Sequence, residues 1–329
     1  MYINKINLNE TDFNIREVSI QGEDCVLIYP KHSDSCWTLD NLHYRSIILR
    51  KSDGKVISRG FPKFFNVFQS PEVNIFPDGP FSTYAKKDGS LLIFSFFKNE
   101  ILVRTRNSVS IEGMANGHEI HVLKNKYPKL WEAVSLNVDY SILCEWQTKT
   151  NVIVIDEVDE PTLTLIGCIE NESGVLVAQS ELDKIAETWG LPRPKKYTYN
   201  TLAECLEDVK MWEGKEGVVR YSADGQHMDK IKSDWYLIRH KLATGIKSIN
   251  QVVDLFIDSP KFTVYDEFYD FVVKTLSYEV AERLKDDMLK IVEAYNKTLD
   301  QYEKVKKVVD KVKGESYSRK EQAQEITTP

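Results

Sequence analysis

The sequence predicts an α+β fold followed by a small all-helical region, and three observations support this prediction. Short runs rich in β-branched and aromatic residues recur until about residue 240, as is typical of strands. Helical segments interrupt these runs irregularly, unlike the regular strand–helix alternation of a parallel sheet. Beyond about residue 243 the strand-like runs stop and helical periodicity replaces them. We therefore predict two domains, residues 1–243 and residues 244–329.

The strand predictions rest on short apolar runs and on the turns between them. Aspartate-glycine pairs at Asp53-Gly54 and Asp224-Gly225 separate such runs, and these pairs favour tight hairpin turns. The predicted strands are Tyr44–Arg50, Ser90–Phe97, Glu100–Thr105, Val152–Asp156, Thr162–Ile169 and Gly217–Ser222.

Capping residues mark two predicted helices within the first domain. Ser180 and Asp183 begin the first helix as a cap pair, and Gly190 follows its last residue. Thr201 and Glu204 begin the second helix with the spacing of a capping box. The two predicted helices are Ser180–Trp189 and Thr201–Trp212.

Helical periodicity is clearest in the second domain. In its longest helix, apolar residues recur at alternating spacings of three and four from Ala281 to Val312, which is a heptad pattern. We favour an amphipathic helix packed within a helical domain, and the alternative is a coiled coil between two chains. The predicted helices of this domain are Val252–Phe256, Tyr265–Leu276 and Tyr278–Lys313.

Composition limits the class of protein. The 329 residues carry 43 Lys and Arg against 50 Asp and Glu, a net charge of −7, so binding to phosphate has to come from local basic clusters. Five cysteines without a CxxC pair argue against a zinc site or a disulfide framework. The N-terminal residues do not resemble a targeting segment, and no apolar run is long enough to span a bilayer. We expect a cytoplasmic protein that does not associate with membranes.

Three short segments carry the residues suited to chemistry. Lys86-Lys87-Asp88-Gly89 lies directly before an apolar strand, and Glu216-Gly217 begins another. Lys230 and Lys232 follow across a hairpin, and residues two apart in a strand share one face. Lys230 and Lys232 should therefore project together, with Ile231 turned to the core. A solvated strand face is the alternative for this pair.

These residue types suit the transfer of a nucleotide to lysine. A lysine with a pKa of about 10.4 must lose its proton before it attacks phosphorus, and nearby positive charge favours that loss. Lys87, Lys230, Lys232 and a Mg²⁺ ion are candidates for this charge, and the same cations offset charge on the phosphates. A carboxylate such as Glu216 suits Mg²⁺, directly or through its bound waters.

Five segments, in chain order, resemble motifs I, III, IIIa, IV and V of the covalent nucleotidyltransferase superfamily, which comprises ligases and mRNA capping enzymes. They are Lys86-x-Asp88-Gly89-Ser90-Leu91, Cys144-Glu145-Trp146, Leu165-Ile166-Gly167, Glu216-Gly217-Val218-Val219 and Lys230-Ile231-Lys232. The longer run KIKSDWY at 230–236 resembles the phage-type RNA ligase 1 family, the tRNA-repair ligases of T-even phages. So do KFFN at 63–66, MANG at 114–117 and ENESG at 170–174.

The resemblance implies a role for each matching residue. Lys86 would be the nucleophile that forms lysyl-AMP, in a turn shaped by Asp88 and Gly89. Glu145 would accept a hydrogen bond from a ribose hydroxyl. Glu216 would engage the catalytic metal ion, through water. Lys230 and Lys232 would contact the α-phosphate.

Further positions match less completely. Arg45 and Lys63 lie where the family binds the triphosphate tail, and Tyr29 and Tyr236 match two other functional positions. Arg106 replaces an essential lysine of the family, which keeps the charge and changes the shape. Two departures stand out: Ser46 replaces the family's glycine after the arginine, and Lys87 places a second lysine inside motif I.

The resemblance implies an ATP-dependent RNA ligase that uses Mg²⁺ or Mn²⁺. Its substrates would be RNA ends with a 5′-phosphate and a 3′-hydroxyl, with cleaved tRNA as one candidate, and we expect a monomer. The fold would be a nucleotidyltransferase domain, with two antiparallel sheets around an ATP cleft, followed by the small helical domain.

Two alternatives remain. An mRNA capping guanylyltransferase or a DNA ligase normally carries a β-barrel after motif V, whereas the sequence after Tyr236 has a helical pattern. A non-catalytic RNA-binding module would not need the full set of candidate residues. Retention of Lys86, Glu145, Glu216, Lys230 and Lys232 argues against that possibility.

Overall fold

The computed structural model describes residues 8, 11–31, 37–112, 114, 116–149, 154–155, 158–245, 253, 256, 263–275 and 278–314. The chain divides into two compact units, Met1–Ile238 and Arg239–Pro329. The division falls within the helix Asp234–Gly245, which also contains the boundary predicted at residue 243. That each unit is a functional domain stays a prediction.

The described part of the first unit contains three sheets, which confirms the α+β class. Their strands are β1 Phe13–Ile20, β2 Glu23–Pro30, β3 Ile47–Arg50, β4 Val56–Arg59, β5 Phe65–Asn66, β6 Phe81–Ala85, β7 Ser90–Phe97, β8 Glu100–Arg104, β9 Tyr140–Gln147, β10 Thr162–Glu170, β11 Lys196–Tyr197, β12 Gly217–Ser222 and β13 Met228–Lys232. The strand orders in the three sheets are β1-β2-β3-β4, β10-β9-β7-β8 and β11-β6-β12-β13-β5. All pairings of these described strands are antiparallel except that between β13 and β5. Antiparallel sheets were predicted around a cleft, and β1–β4 form a third sheet that the sequence did not predict.

The sheet that contains β7 and β9 is buried on both faces. On one face, Leu92 and Trp146 belong to a core cluster with residues of the helices. On the other face, Ile93 and Leu143 pack in a cluster with Tyr84 of the neighbouring sheet. This division follows from the alternation of side chains along a strand, and it explains why β7 is apolar at consecutive positions from Leu91 to Phe94.

The helices of the first unit are α1 Glu119–Lys126, α2 Pro128–Leu136, α3 Gln179–Trp189, α4 Leu202–Lys210 and α5 Asp234–Gly245. Residues of α1, α2 and α3 belong to the core cluster that contains Leu92, whereas α4 packs against β12 and β13.

The two predictions of helix caps had different outcomes. The capping box is confirmed, because Thr201 Oγ1 accepts a hydrogen bond from the backbone N–H of Glu204 at 3.1 Å. The cap pair predicted at Ser180 is wrong, because α3 begins at Gln179 and Asp183 accepts a hydrogen bond from Arg193 Nε at 2.8 Å.

Two strand predictions needed correction. The segment predicted from Tyr44 begins with a 3₁₀ turn, Leu42–Arg45, and its strand starts at Ile47. Of the segment predicted as Val152–Asp156, only Val154 and Ile155 are described, and they are not in a strand. Both aspartate-glycine hairpins are confirmed, since one joins β3 to β4 and the other joins β12 to β13.

The second unit contains two described helices, α6 Tyr265–Thr275 and α7 Tyr278–Gly314. Phe268 and Val272 of α6 pack against Ala281 and Met288 of α7, which confirms the predicted packing for the first part of the heptad pattern. Further along α7, Tyr302 and Val305 are exposed. The predicted helix at 252–256 lies largely outside the described residues. Among the described residues, no helix combines the length and apolar character that crossing a bilayer requires.

Candidate active site

The motif I turn joins two sheets. It leaves β6 at Ala85 and enters β7 at Ser90. The backbone N–H of Lys86 donates to the carbonyl of Gly217 at 2.8 Å, which ties the turn to the start of β12. The Nζ of Lys86 lies 2.9 Å from Oε2 of Glu216. The turn therefore places the candidate nucleophile against the motif IV carboxylate.

Glu216 lies between two lysines. Its side chain is 2% exposed, and its other oxygen, Oε1, lies 2.9 Å from Nζ of Lys232. Burial raises the pKa of Glu216, but the charges of Lys86 and Lys232 outweigh burial and hold this pKa below its usual value. The Glu216 carboxylate is thus an anion with a cation on each side.

Gly217 explains how Glu216 comes so close to β13. Its φ is +143°, and an added Cβ would lie 2.0 Å from the carbonyl oxygen of Ile231. Both the backbone angle and the space therefore require glycine at this position.

The surroundings of Lys86 act opposite to the sequence-based expectation. Burial lowers the pKa of Lys86, but the carboxylates of Glu216 and Glu145 outweigh burial and raise it above the usual value. The sequence named Lys87, Lys230, Lys232 and a Mg²⁺ ion as charges that could lower this pKa. Among the protein groups the carboxylates prevail, because the nearest charged partner is an anion. The effect of a bound Mg²⁺ stays a prediction. The amine is held protonated by Glu216.

Asp88 organises the turn from within. Its side chain is buried, and Oδ2 accepts hydrogen bonds from the backbone N–H groups of Val154 at 2.8 Å and Ile155 at 2.9 Å. These bonds occupy the N–H groups that the predicted strand would have used. Oδ1 accepts from the hydroxyl of Tyr236 at 2.7 Å, which joins α5 to motif I. Gly89, the next residue, lies where the backbone of β9 comes close to the turn. A Cβ at this position would lie 2.5 Å from the carbonyl oxygen of Trp146.

Glu145 reaches the same site from β9. It lies opposite Leu91 in the pairing of β7 with β9, one residue after fully buried Cys144 and one before fully buried Trp146. Burial raises the pKa of Glu145 to about 8, and the charge of Lys86 counteracts only part of that rise. Glu145 therefore gains or loses its proton near neutral pH.

A cluster of cations lies beside Glu145 and Lys86. Burial lowers the pKa of Lys230 to about 7, and the charges of Arg45, Lys86, Lys232 and Lys63 act in the same direction. Burial and the charge of Arg106 lower the pKa of Arg45 to about 10. Burial also lowers the pKa of Lys63, together with Arg45 and Arg106. We call Arg45, Lys63, Arg106 and Lys230 the cation cluster.

Aromatic rings support the cation cluster, and sequence reasoning assigned them no role. The ring of Phe64 contacts both Arg45 and Lys230. Arg45 Cζ lies 5.0 Å and Lys230 Nζ 5.2 Å from its centroid. Lys63 Nζ lies 5.2 Å from the ring centroid of Trp37 and 5.1 Å from that of Phe65. The signal was present, since two of these rings directly follow Lys63 in the KFFN segment.

Tyr29 differs from the other candidates. It lies on β2 opposite Asn14 and packs against a core cluster of the N-terminal sheet that includes Leu27 and Ile48. Its contact with a nucleotide stays a prediction.

Comparison with known proteins agrees with this geometry. The family model described as RNA ligase, of the phage RNA ligase 1 type, matches residues 43–239, more than half of the chain. The chain belongs to this RNA ligase family. A protein of Autographa californica nuclear polyhedrosis virus, named as a bifunctional polynucleotide kinase/RNA ligase, is 27% identical over 236 residues. Those residues are 65% of this chain and 33% of that protein, so the match spans about a third of the viral relative.

Two further RNA ligases are similar. A protein of Thermovibrio ammonificans, named as an RNA ligase, is 24% identical over 285 residues, which are 83% of this chain and 71% of that protein. A solved structure of an archaeal ATP-dependent RNA ligase is similar with a TM-score of 0.54 at 17% identity, covering 95% of this chain and 82% of that chain. The structural likeness shows that this RNA ligase family member has the ligase fold.

The departure at Ser46 has a structural explanation in this family member. Arg104 is fully buried, and its Nη1 donates to Ser46 Oγ at 2.7 Å while its Nε donates to Ser58 Oγ at 2.8 Å. Ser46 Oγ in turn donates to the carbonyl of Arg106 at 2.8 Å. Ser46 therefore joins a buried arginine to the backbone that carries the cation cluster.

Proposed function

We propose that this chain forms lysyl-AMP on Lys86 and uses it to seal RNA ends that carry a 5′-phosphate and a 3′-hydroxyl. The observation that carries the proposal is the position of the Glu216 carboxylate, 2.9 Å from both Lys86 Nζ and Lys232 Nζ, beside the cation cluster. An amine, a carboxylate and several cations at one site are what nucleotidyl transfer to lysine requires.

The Glu216 carboxylate fits a divalent cation. Within the described ranges, no three His, Cys, Asp or Glu side chains form a metal site. Mg²⁺ commonly uses only one or two carboxylates together with waters and substrate phosphates, and Glu216 supplies one, which stays ionised because its pKa is lowered. When bound at Glu216, Mg²⁺ or Mn²⁺ would offset phosphate charge and weaken the attraction that keeps Lys86 protonated.

In the first step, Lys86 Nζ loses a proton and attacks the α-phosphorus of ATP. A nitrogen–phosphorus bond forms, the bond from the α-phosphorus to the bridging oxygen breaks, and pyrophosphate leaves. Lys232, held by Glu216, and Lys230 lie on the strand face that would contact the α-phosphate. Their positive charge stabilises the extra negative charge of the transition state.

Arg45 and Lys63 of the cation cluster suit the β- and γ-phosphates, and Lys230 lies beside them for the α-phosphate. Lys230, Lys63 and Arg45 each carry a lowered pKa with burial as its main cause, so an anion at this site would restore the environment that favours their charged forms. The arginine contributes a planar fork that binds two phosphate oxygens at once. The ring of Phe64 stabilises the positions of Arg45 and Lys230 through cation–π contacts.

Two further transfers complete the reaction. AMP moves from Lys86 to the 5′-phosphate of RNA, forming a 5′–5′ pyrophosphate linkage, and the 3′-hydroxyl then attacks that phosphate and releases AMP. Glu145 lies close enough to influence the charge of Lys86 and would accept a hydrogen bond from a ribose hydroxyl of the adenylate. Repair of cleaved tRNA, action as a monomer and a cytoplasmic location are part of this proposal.

Labelled nucleotide tests the proposal. The chain is incubated with ATP or GTP labelled at the α-phosphate and with Mg²⁺, and the protein is then separated under denaturing conditions. We expect ATP to label the wild-type protein covalently and to leave Glu216→Ala unlabelled. The control is Glu132→Ala, which removes an exposed carboxylate on α2. Label from GTP would instead indicate a capping guanylyltransferase, and no label would indicate a non-catalytic protein. Sealing of a nicked tRNA anticodon stem-loop, compared with unstructured strands, tests the substrate.

A further inference from the structure

A second cleft lies in the first unit, outside the site of Lys86. Its volume is about 360 Å³, and it lies where the end of β4 meets the turn after β10. The residues that line it include His43, Arg59, Pro62, Glu172 and Gly174. None of them has a role in the transfer chemistry described above.

Arg59 is the buried charge of this cleft. It is 8% exposed, and its Nε has no hydrogen-bond partner within the part of the chain that the structure describes. Its backbone N–H donates to Ser141 Oγ at 2.9 Å, which fixes the residue at the end of β4. A buried guanidinium donor without a partner is costly, and an anion in the cleft would remove that cost.

Gly174 makes room for the guanidinium. An added Cβ at this position would lie 2.1 Å from Arg59 Nη1, and its φ of +76° also favours glycine. The turn that contains Gly174 is thus built around Arg59. Arg59 is therefore a fitted part of the cleft wall.

Two other groups define what the cleft would bind. Burial and the charge of Arg59 lower the pKa of His43 to about 4, so its imidazole is neutral and offers one donor and one acceptor. Glu172 is exposed, and its negative charge favours the protonated form of Arg59 and so counteracts part of the lowering of the Arg59 pKa by burial; the two residues form no ion pair among the described contacts. A single buried cation with a neutral hydrogen-bonding partner suits one phosphodiester better than a polyphosphate.

The cleft continues from the cation cluster along the chain. His43 lies two residues before Arg45 on the same 3₁₀ turn, and Pro62 directly precedes Lys63. A polynucleotide carries a phosphate at every nucleotide, so a strand with its end near Lys86 has further phosphates to place. We propose that this cleft binds a backbone phosphodiester of the RNA strand, with Arg59 contacting the phosphate. This inference rests on the proposed ligase function.

Salt-dependent RNA binding tests the inference. Fluorescence anisotropy measures the affinity of the full chain for a labelled, single-stranded RNA with a 5′-phosphate, at several salt concentrations. Arg59→Gln should weaken binding and reduce the slope of log affinity against log salt by about 0.7, the contribution of one phosphate contact on a single strand. Glu172→Gln removes an exposed opposing charge and should tighten binding by about twofold to fivefold.

Controls separate the possible outcomes. Glu132→Gln changes the net charge equally at an exposed position on α2 and should leave RNA affinity unchanged. Both cleft variants should still form lysyl-AMP, which separates this inference from the proposed function. If Glu172→Gln behaves as Glu132→Gln does, or tightens ATP binding instead of RNA binding, the inference is wrong. Because Glu172 is exposed, its variant decides the question even if Arg59→Gln does not fold.

Discussion

Nζ of Lys86 and Oε2 of Glu216 lie 2.9 Å apart, although 130 positions separate the two residues in the chain. The pair is possible because Lys86 follows β6 and Glu216 precedes β12, which are neighbours in one sheet. The ion pair raises the pKa of the amine. If Lys86 is the nucleophile, as we propose, its attack depends on a change at Glu216 that lets the proton leave.

The first prediction concerns stability and pH at Glu145. Its pKa is raised from an ordinary value of 4.5 to about 8 in the folded chain, so between these values the folded chain holds a proton that the unfolded chain releases. This group should therefore make the fold less stable as pH rises from 5 to 8. Glu216, with a lowered pKa, contributes in the opposite direction, but its contribution is confined to the acid end of this range, because the unfolded group has an ordinary pKa of 4.5.

Thermal melting of the wild type and of Glu145→Gln checks this prediction. We expect the difference in Tm between the two proteins to grow in favour of Glu145→Gln as pH increases. Glu145→Gln should remain folded and lose ligation. A constant difference in Tm across the range would contradict the raised pKa.

The second prediction concerns the serine that replaces the family's glycine. Ser46→Ala removes an acceptor from the buried guanidinium of Arg104 and should lower the free energy of unfolding by about 1–3 kcal/mol. Ser46→Gly should cost roughly 0.5–1 kcal/mol more, because glycine gains more freedom in the unfolded chain. Chemical denaturation measures both values. Ser135→Ala, whose hydroxyl lies at an exposed helix end, is the control, and equal effects at the two serines would contradict the role of Ser46.

The third prediction concerns proton uptake at Lys230. Its pKa of about 7 means that part of the amine is uncharged at neutral pH, and the surrounding charges of Arg45, Lys63, Lys86 and Lys232 favour that form. A bound anion should restore the proton. Calorimetric titration with pyrophosphate, in buffers of different ionisation enthalpy, should therefore show proton uptake near pH 7.5.

Lys230→Arg is the matched variant, because arginine stays protonated at this pH. It should bind pyrophosphate with markedly less proton uptake than the wild type. Equal uptake by the two proteins would show that Lys230 is already charged before the anion binds.

The fourth prediction concerns the division of labour along the chain. Lys86, Glu145, Glu216 and Lys230 all belong to the first unit, and a chain truncated after Ser248 retains the whole of α5 with Tyr236. We expect it to form lysyl-AMP and to seal structured RNA less well than the full chain does. Cooperative melting establishes that the truncated protein is folded. If that folded protein takes up no AMP, part of the nucleotide site requires the C-terminal residues.

The sequence predicted the local features of the site and missed those that depend on distant contacts. Strand β7 and the glycines of motifs I and IV were readable, because periodicity and close approach leave a signal within a few residues. The direction in which the pKa of Lys86 shifts could not be predicted from the sequence, because it depends on how close a carboxylate comes to the amine after folding. The hydrogen bonds of Arg104 likewise reach far along the chain. Ser58 lies 46 positions before Arg104 and Ser46 lies 58 positions before it, and sequence spacing alone does not reveal these contacts.

Some errors have a simpler cause. The apolar run around Val154 has the composition of a strand, but its N–H groups at Val154 and Ile155 donate to Asp88. A buried carboxylate accepted the hydrogen bonds that a neighbouring strand would have supplied. Composition predicts that such backbone is extended and buried, whereas the identity of its partner is set by the tertiary structure.

Locating AMP on the chain tests the central claim most directly. The wild type, Lys86→Ala and Lys87→Ala are each incubated with ATP and Mg²⁺, and the modified residue is identified by mass spectrometry of the peptides. Lys86 Nζ lies 2.9 Å from Glu216 Oε2, so we expect AMP on Lys86, no AMP on Lys86→Ala and substantial labelling of Lys87→Ala. AMP attached to Lys87, or to Lys86→Ala at any position, would contradict the account.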